Sequence, residues 1–230
     1  SFVTDIVVNS TGTRFYASFD GRGCAASTGG CPTNNVPGVW TSTTGDAGSW
    51  TKIAGDGSAS NPAGWDVNGS YGRVVLALAP SNENILYAMF WDGDGYPSIE
   101  AELYKWDQGL GSWVDRSANL PNEPGGSSGN DPFAVQGGYD LVLAVKPDDE
   151  NCLFIGGTNI YRSTDAFATA GSVTRIGGYA GPSTYASYAN SHADIHSIVF
   201  PPTSTTTLVC GNDGGIQRTT DNLAVTVAWT

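Results

Sequence analysis

The residues best suited to chemistry lie together in the last fifth of the chain. They are His192, Asp194 and His196, at positions i, i+2 and i+4, and the two histidines are the only ones in the sequence. On a β-strand all three side chains would point to one face. Such a face predicts either a site for a ligand, whether a metal ion or an acid–base cluster, or a hydrogen-bonded polar network that anchors a loop.

Strand geometry limits the metal interpretation of this group. A strand rises about 3.3 Å per residue, so His192 and His196 would lie roughly 13 Å apart. One ion could therefore take two adjacent members of the group but not all three, and zinc would need further ligands from elsewhere. The polar network is the favoured interpretation, and whether a metal binds here stays open.

Two further features flank this group. The segment 179–188 contains several tyrosines, and Tyr185 and Tyr188 could stack on sugar rings or simply anchor a loop. After the histidines, Asp213 lies in the sequence Gly-Asn-Asp-Gly-Gly (211–215), which is typical of a tight turn that requires glycine.

The elements that must position these residues recur four times. Each unit begins with an apolar strand, a turn and a second strand; these segments are 5–19, 73–90, 140–157 and 196–212. Seven residues separate the turn from the second strand in every copy, between Asn9 and Tyr16, Pro80 and Tyr87, Pro147 and Phe154, and Pro202 and Val209. A third strand then leads into a turn with an aspartate: Asp46, Asp107, Asp165 and Asp221.

The turn aspartates are 61, 58 and 56 residues apart, and a period near 60 with about four short strands indicates propeller blades. The 31 glycines and only 14% charged residues also favour strands and tight turns. The sequence thus predicts an all-β fold, a β-propeller of four-stranded antiparallel blades, in preference to a β-sandwich or β-helix. The approximate units are 1–71, 72–138, 139–194 and an incomplete 195–230.

The aspartate turns resemble the Asp box, or BNR repeat, whose pattern is Ser/Thr-x-Asp-x-Gly-x-Thr-Trp. The copies are Thr44–Trp50, Trp106–Gly109 with Ser112–Trp113, Ser163–Asp165 and Thr219–Asp221. Proteins with this box include sialidases, sortilin-like receptors, xyloglucan-hydrolysing propellers and secreted bacterial proteins, and the last group is the most similar. The resemblance implies that the four box aspartates are structural, because their carboxylates accept backbone N–H groups within the turn.

The same resemblance implies a role for Asp213. In xyloglucan-hydrolysing propellers a similar Asp-x-Gly-Gly turn carries a catalytic carboxylate, and glycoside hydrolysis needs a second carboxyl group. Asp194, or a residue of a further blade, could be that partner. A purely structural turn is the favoured alternative for Asp213. Two functions therefore stay open: a glycan-directed hydrolase, and a non-catalytic recognition or assembly module at the cell surface.

Charge and cysteine content limit the partners and the compartment. The net charge is −12 and no cluster of basic residues exists, so nucleic acid and anionic membranes are poor partners, whereas a glycan or a protein is suitable. Cys24 and Cys31 flank a short loop and predict a local disulfide and an extracellular location, with two free thiols as the alternative. Cys152 and Cys210 lie in apolar runs and are expected in the core.

Three further expectations concern ions, membranes and completeness. Asp92-Gly93-Asp94-Gly95 suggests calcium only weakly, since the full twelve-residue loop pattern does not follow. No apolar stretch reaches the ~20 residues of a membrane span. The sequence begins on a first strand and stops within a fourth unit, which predicts a portion of a longer propeller that further blades or copies would complete; a closed four-bladed ring is the alternative.

Overall fold

The computed structural model describes residues 2–21, 36–65, 71–94, 98–123 and 132–230. These residues form fifteen strands in four antiparallel sheets, and within each sheet the strands pair in chain order. The all-β propeller arrangement predicted from the repeat is therefore confirmed. Each sheet is one blade, and the four blades follow one another in chain order.

The strand bounds follow the four repeats. Blade 1 consists of β1 (Val3–Val8), β2 (Phe15–Phe19), β3 (Gly38–Ser42) and β4 (Thr51–Ala54). Blade 2 consists of β5 (Val74–Leu78), β6 (Ile85–Trp91), β7 (Ala101–Asp107) and β8 (Ser112–Asp115). Blade 3 consists of β9 (Val142–Lys146), β10 (Asp149–Gly156), β11 (Ile160–Ser163) and β12 (Val173–Gly177). Blade 4 consists of β13 (Ile195–Val199), β14 (Leu208–Asn212) and β15 (Gly215–Thr219).

Blade 4 thus has three strands, and only a remnant of a fourth. The backbone N–H groups of Arg218 and Thr230 each donate to the other's carbonyl, at 2.8 and 2.9 Å. This single reciprocal pair takes the place that a full outer strand occupies in the other three blades.

The strand register gives the positions that correspond between blades. The corresponding first pairs are Val7–Tyr16, Ala77–Tyr87, Ala144–Phe154 and Val199–Val209. The two partners are nine positions apart in the sequence in blade 1 and ten positions apart in the other three blades. The hairpin of blade 1 is therefore one residue shorter. The constant spacing of seven residues in the sequence therefore does not match the register in blade 1.

The core is divided among three clusters, each of which lies between consecutive blades. One joins blades 1 and 2 and includes Val39, Leu76 and Trp65. The second joins blades 2 and 3, and the third joins blades 3 and 4. Among the residues that the structure describes, no such cluster joins blade 4 back to blade 1. The two apolar faces of an isolated sheet cannot be hidden from water, and stacking neighbours is what buries them.

Two blade faces have no neighbour among the residues that the structure describes. We call the side of blade 1 that points away from blade 2 the leading face; it includes Ile6, which is 61% exposed, and Val8. We call the side of blade 4 that points away from blade 3 the trailing face; it includes Val199, Ile216 and Arg218, of which Ile216 is 83% exposed. Both faces carry apolar side chains in positions that are buried elsewhere in the repeat.

The aspartate turns differ more than their sequences suggest. Relative to the register, Asp165 and Asp221 occupy the same position, two residues after the end of their strand pairing. Asp107 is itself the last paired residue of its strand, and Asp46 lies four residues after the pairing ends. The carboxylates of Asp107, Asp165 and Asp221 each accept a backbone N–H within the turn. In the turn of Asp46 the hydroxyl of Ser42 accepts the N–H groups of residues 44 and 45 instead.

The cysteines separate into two groups. Cys152 and Cys210 are free thiols buried between blades 3 and 4, as expected for core residues. Burial raises the pKa of the Cys152 thiol to about 11 and that of the Cys210 thiol to about 12, so both stay protonated near neutral pH. The predicted Cys24–Cys31 disulfide lies outside the described residues. Among those residues no helix has the length and apolar character needed to cross a membrane.

Candidate functional site

The three residues predicted to share one strand face do not share it. Strand β13 begins at Ile195, so His192 and Asp194 precede it and only His196 belongs to it. Asp194 has a φ of +64°, in the left-handed region, and this reverses the chain just before the strand. The prediction of a single face was therefore wrong, because the i, i+2, i+4 rule holds only for an extended chain.

His196 nevertheless lies at the centre of a polar cluster. Its Nε2 atom is 2.6 Å from Oδ1 of Asp213, so the turn after β14 meets the first strand of the blade. Its Nδ1 atom is 3.7 Å from Oδ1 of Asp140, on the approach to β9 of the neighbouring blade. Tyr139 packs edge-on against the imidazole, with ring centroids 4.9 Å apart. The imidazole thus forms a hydrogen bond with one carboxylate and lies within ion-pair distance of a second, which belongs to the neighbouring blade.

Asp140 is the most unusual member of the cluster, and the sequence analysis did not identify it. Its side chain is completely buried, and within the described part of the chain no donor reaches either carboxylate oxygen. The carboxyl group of Asp194 is near enough to interact with that of Asp140, and two carboxyl groups can share a hydrogen bond only if one holds a proton. Burial, assisted by the charges of Asp194 and Asp213 and opposed by His196, raises the pKa of Asp140 to about 7.

Asp194 is held in place from the opposite side by Gln136. The Nε2 group of Gln136 donates to Oδ1 of Asp194 over 2.7 Å, and both residues have positive φ angles. The carbonyl of Asp194 also accepts the N–H of Asp213 at 3.2 Å. Left-handed backbone at residues other than glycine costs about 1–3 kcal/mol each and persists where the surroundings enforce it, commonly at functional sites. We refer to Asp140, Asp194, His196 and Asp213 as the acidic cluster.

Two grooves adjoin the acidic cluster. The first has a volume of about 360 Å³ and is lined by Asp20 and Arg73 together with Gln136 and Tyr139, the two residues that contact Asp194 and His196. This groove therefore brings together the loops that lead into blades 2 and 3. A ligand in it would lie beside the acidic cluster and beside one cationic side chain, Arg73.

The second groove has a volume of about 300 Å³. Two of the residues that the sequence predicted to bind a ligand line this groove, and a third does not. Tyr188 and His192 line it, and the Cβ atom of His192 lies against Gly214, where no side chain would fit. Tyr185 is not among the residues that line it; this side chain is 63% exposed and packs edge-on against Tyr179. The predicted site residues thus divide between the acidic cluster and this second groove.

The candidate cation sites receive little support from the geometry. Among the described residues, no group of three or more histidine, cysteine, aspartate or glutamate side chains could hold a metal ion. Asp92 accepts the N–H of Asp94 at 2.8 Å, which is the geometry of a local turn, and Gly95 lies outside the described residues. The weak calcium signal at 92–95 therefore stays a prediction.

Comparison with known proteins places the fold beside one group of enzymes. No family model matches the chain, and no curated protein matches it. The chain shares its fold with solved GH74 enzymes. A GH74 enzyme from Niastella koreensis matches with a TM-score of 0.57 at 18% identity, and the GH74 xyloglucanase from Xanthomonas campestris with 0.57 at 14%. Each match covers 99% of this chain but only 30% of the longer chain.

These comparisons test the fold and leave the site open. At identities of 14% and 18% the likeness shows the architecture alone, and the chain spans about a third of the length of the structures that it matches. The roles of Asp213, Asp194 and the histidines therefore remain predictions. Asp140 escaped prediction because it has no motif around it; it is simply the polar residue that precedes an apolar strand.

Proposed function

We propose that the chain is the site-bearing part of a glycan-directed protein of glycoside-hydrolase type, acting on or binding an extracellular polysaccharide. The observation that carries the proposal is the acidic cluster, in which a partly exposed carboxylate, Asp213, is linked through His196 to a fully buried one, Asp140. The GH74 fold supports the choice of substrate class, and the net charge of −12 favours a neutral glycan over a polyanion.

The cluster contains a buried carboxyl group, Asp140, whose raised pKa favours its protonated form, and a more exposed one, Asp213. Glycoside hydrolysis requires one carboxylic acid that protonates the leaving oxygen and one carboxylate that activates water or attacks the sugar. Asp213, with 44% of its side chain exposed, is the member that can meet a ligand. Asp140 is buried and cannot touch one, so its place is to hold a proton behind Asp194 and His196. Asp194 is then the second carboxyl group of the site and the one that would protonate the leaving oxygen, while Asp213 is the carboxylate.

The second function is a non-catalytic recognition module, and one observation favours it. Asp213 and Asp194 both accept hydrogen bonds from side chains of the protein, at 2.6 Å from His196 and 2.7 Å from Gln136. Carboxylates engaged in this way act as a polar network that joins blades 3 and 4. In that case a glycan would bind in the grooves through Tyr139 or Tyr188, and no bond would be cleaved.

A panel of soluble β-glucans and xyloglucan separates the two functions. Release of new reducing ends that is lost by at least about a hundredfold in Asp213→Asn, with binding retained, supports hydrolysis. Binding without release of reducing ends, weakened by Tyr188→Ala but not by Asp213→Asn, supports recognition. Tyr185→Ala is the matched control, because Tyr185 lies outside both grooves. Absence of both binding and release across the panel contradicts the glycan proposal altogether.

The finer family assignment is also a proposal. We infer that the chain belongs with the secreted Asp-box propellers, and the equivalent turns of Asp165 and Asp221 support this. In both turns the carboxylate accepts a backbone N–H two or three residues later, which is the bonding that the box requires. An oxidising location is tested by counting free thiols in the denatured protein isolated from its native source. Two free thiols are expected if Cys24 and Cys31 are joined, and four contradict the disulfide.

A further inference from the structure

Gln136 holds a backbone conformation that its residue type disfavours. Its φ angle is +48°, and Gly137 and Gly138 continue the left-handed run at +69° and +89°. The two glycines adopt such angles without steric cost, whereas a residue with a Cβ atom does not. Glycine would therefore suit position 136 better, unless the side chain of Gln136 has a use. The structure shows that use, because Nε2 donates to Oδ1 of Asp194 over 2.7 Å.

Glu100 of blade 2 holds the loop that carries Gln136. It immediately precedes β7, and its Oε2 atom accepts the N–H groups of Val135 and Gln136 at 2.9 and 3.0 Å. The backbone N–H of Glu100 also donates to the carbonyl of Phe133 at 2.9 Å. Val135 is completely buried, so its N–H needs an acceptor within the protein. Glu100 therefore fixes the left-handed turn from the neighbouring blade.

The loop that Glu100 holds contributes three contacts to the acidic cluster. The first is the hydrogen bond from Gln136. The second is made by Tyr139, whose ring packs against the imidazole of His196 with centroids 4.9 Å apart. The third is made by Asp140, whose carboxyl group lies 3.7 Å from Nδ1 of the same imidazole. A shift of the turn would therefore move all three contacts at once.

We propose that Glu100 is a positioning residue for Asp194 and that it acts through Gln136. This role rests on the proposed function, in which Asp194 protonates the leaving oxygen. The amide nitrogen of Gln136 is a donor only, and it engages Oδ1 of Asp194, so a proton on Asp194 is left to Oδ2. From Oδ2 that proton would pass to the glycosidic oxygen as this oxygen leaves the sugar carbon. Glu100 and Gln136 together fix which oxygen of Asp194 holds the proton.

Two substitutions of Glu100 separate its hydrogen bonds from the rest of its side chain. A single oxygen of Glu100 accepts both N–H groups, and the amide oxygen of glutamine can take the same place. Glu100→Ala should therefore lower kcat for the release of reducing ends by about ten- to a hundredfold, with little change in KM. Glu100→Gln should restore most of that loss. An unchanged kcat in Glu100→Ala overturns the proposal.

Glu83→Ala is the matched control, and Gln136→Gly tests the second link. Glu83 likewise accepts a backbone N–H, from Ser10 at 2.6 Å, but it lies in the turn after β5, at the end of that strand opposite Arg73. Its loss should leave kcat unchanged. Gln136→Gly relieves the left-handed angle and removes the donor to Asp194, so kcat should fall by at least about tenfold while the melting temperature does not fall. A parallel fall in both overturns the proposal.

One measurement does not depend on hydrolysis. The chain has only two histidines, so NMR can resolve the ring protons of His196, and their contact with the ring of Tyr139 gives a nuclear Overhauser signal. We expect Glu100→Ala to lose this signal, and Glu100→Gln and Glu83→Ala to keep it. If Glu100→Ala does not fold, Glu100→Met replaces it, because it fills similar space without a carboxyl acceptor.

The two proposals can fail separately. If the native protein hydrolyses no glycan, the proposed function fails, and the signal between His196 and Tyr139 alone decides whether Glu100 positions the cluster. A signal that survives in Glu100→Ala, or one that Glu83→Ala also loses, overturns the positioning role.

Discussion

The internal blade interfaces and the two outer faces contain the same kinds of residue in the same positions. Ile160 and Ile216 are both isoleucines on the third strand of a blade, at corresponding register positions, yet one is fully buried and the other is 83% exposed. The difference between them is the presence of a following blade. Burial at these positions is thus a property of the neighbour and cannot be read from the residue.

This comparison has an energetic consequence. A blade gains stability in proportion to the apolar area that its neighbours remove from water, at about 25 cal/mol per Å². In the described part of the chain, blades 2 and 3 are covered on both sides, whereas blades 1 and 4 are covered on one side only. Matched substitutions at corresponding positions therefore should give large effects inside the arc and small effects at its ends.

The sharpest test is Ile160→Ala against Ile216→Ala. We expect Ile160→Ala to lower the free energy of unfolding by about 2–5 kcal/mol, because it removes buried methylene groups and leaves a cavity. Ile216→Ala should change it by no more than about 0.5 kcal/mol in the monomer. Urea denaturation at a dilute protein concentration measures both. Equal losses would show that the trailing face is covered within a single chain.

The contrast between buried and exposed positions extends to the carboxyl groups. The pKa of Asp140 is raised from 3.8 to about 7 in the folded chain, so the folded state binds a proton that the unfolded state has released. Its contribution to stability is therefore present below pH 4 and is lost as the pH rises through 7. The side chain of the Asp140→Asn variant cannot ionise, so the variant does not undergo this loss. As the pH increases from 4 to 8, the free energy of unfolding of the variant should therefore rise relative to that of the native protein, by as much as about 4 kcal/mol.

Denaturation midpoints of both proteins across this pH range test the Asp140 prediction. Asp46→Asn is the control, since it changes an exposed carboxyl group outside the acidic cluster. A constant difference between the Asp140→Asn variant and the native protein would mean that Asp140 is ionised throughout, and that it holds no proton at neutral pH.

The two arginines at corresponding positions provide a third comparison. Arg162→Ala removes a buried guanidinium group and leaves the carbonyls of Asn222 and Ala224 without their donor, which should cost about 1–3 kcal/mol. Arg218→Ala should cost the dilute monomer no more than about 0.5 kcal/mol. The same denaturation experiment applies, and comparable costs for both variants would indicate that Arg218 already has a buried partner within the chain.

The smallest expected effect concerns the aspartate turns. Asp165 accepts the N–H of Ala168 and the hydroxyl groups of Ser163 and Thr169, so Asp165→Ala should cost about 0.5–2 kcal/mol. Asp46 is exposed, and its turn is held by Ser42, so Asp46→Ala should be close to neutral. A thermal melt resolves the two. An equal cost would restore Asp46 to the structural role that its sequence predicts.

Much of the fold could be predicted because it depends on local patterns. The apolar strand Val74–Leu78, the four turns and the period near 60 each follow from residue type and order, and together they indicate stacked blades. The sequence was less informative about register. A spacing of seven residues recurs in all four hairpins, yet blade 1 pairs Val7 with Tyr16 and is one residue shorter, because pairing depends on both strands at once.

The candidate site divides in the same way. The sequence drew attention to His196, Asp194 and Asp213, which the structure does bring together, but it predicted one strand face for His192, Asp194 and His196. It did not identify Asp140 or Gln136, which are more than fifty residues away in the chain and reach the cluster only because blade 3 lies against blade 4.

By itself, then, the amino-acid order determined the type of each strand, the chemistry of each turn and the repetition of one unit, since these depend on neighbours in the chain. Which apolar faces are covered, which carboxyl group holds a proton and which side chains surround His196 were decided by tertiary structure alone. The physical reason is that burial and electrostatic coupling depend on distance in space, and the blades bring together residues that are far apart in the sequence.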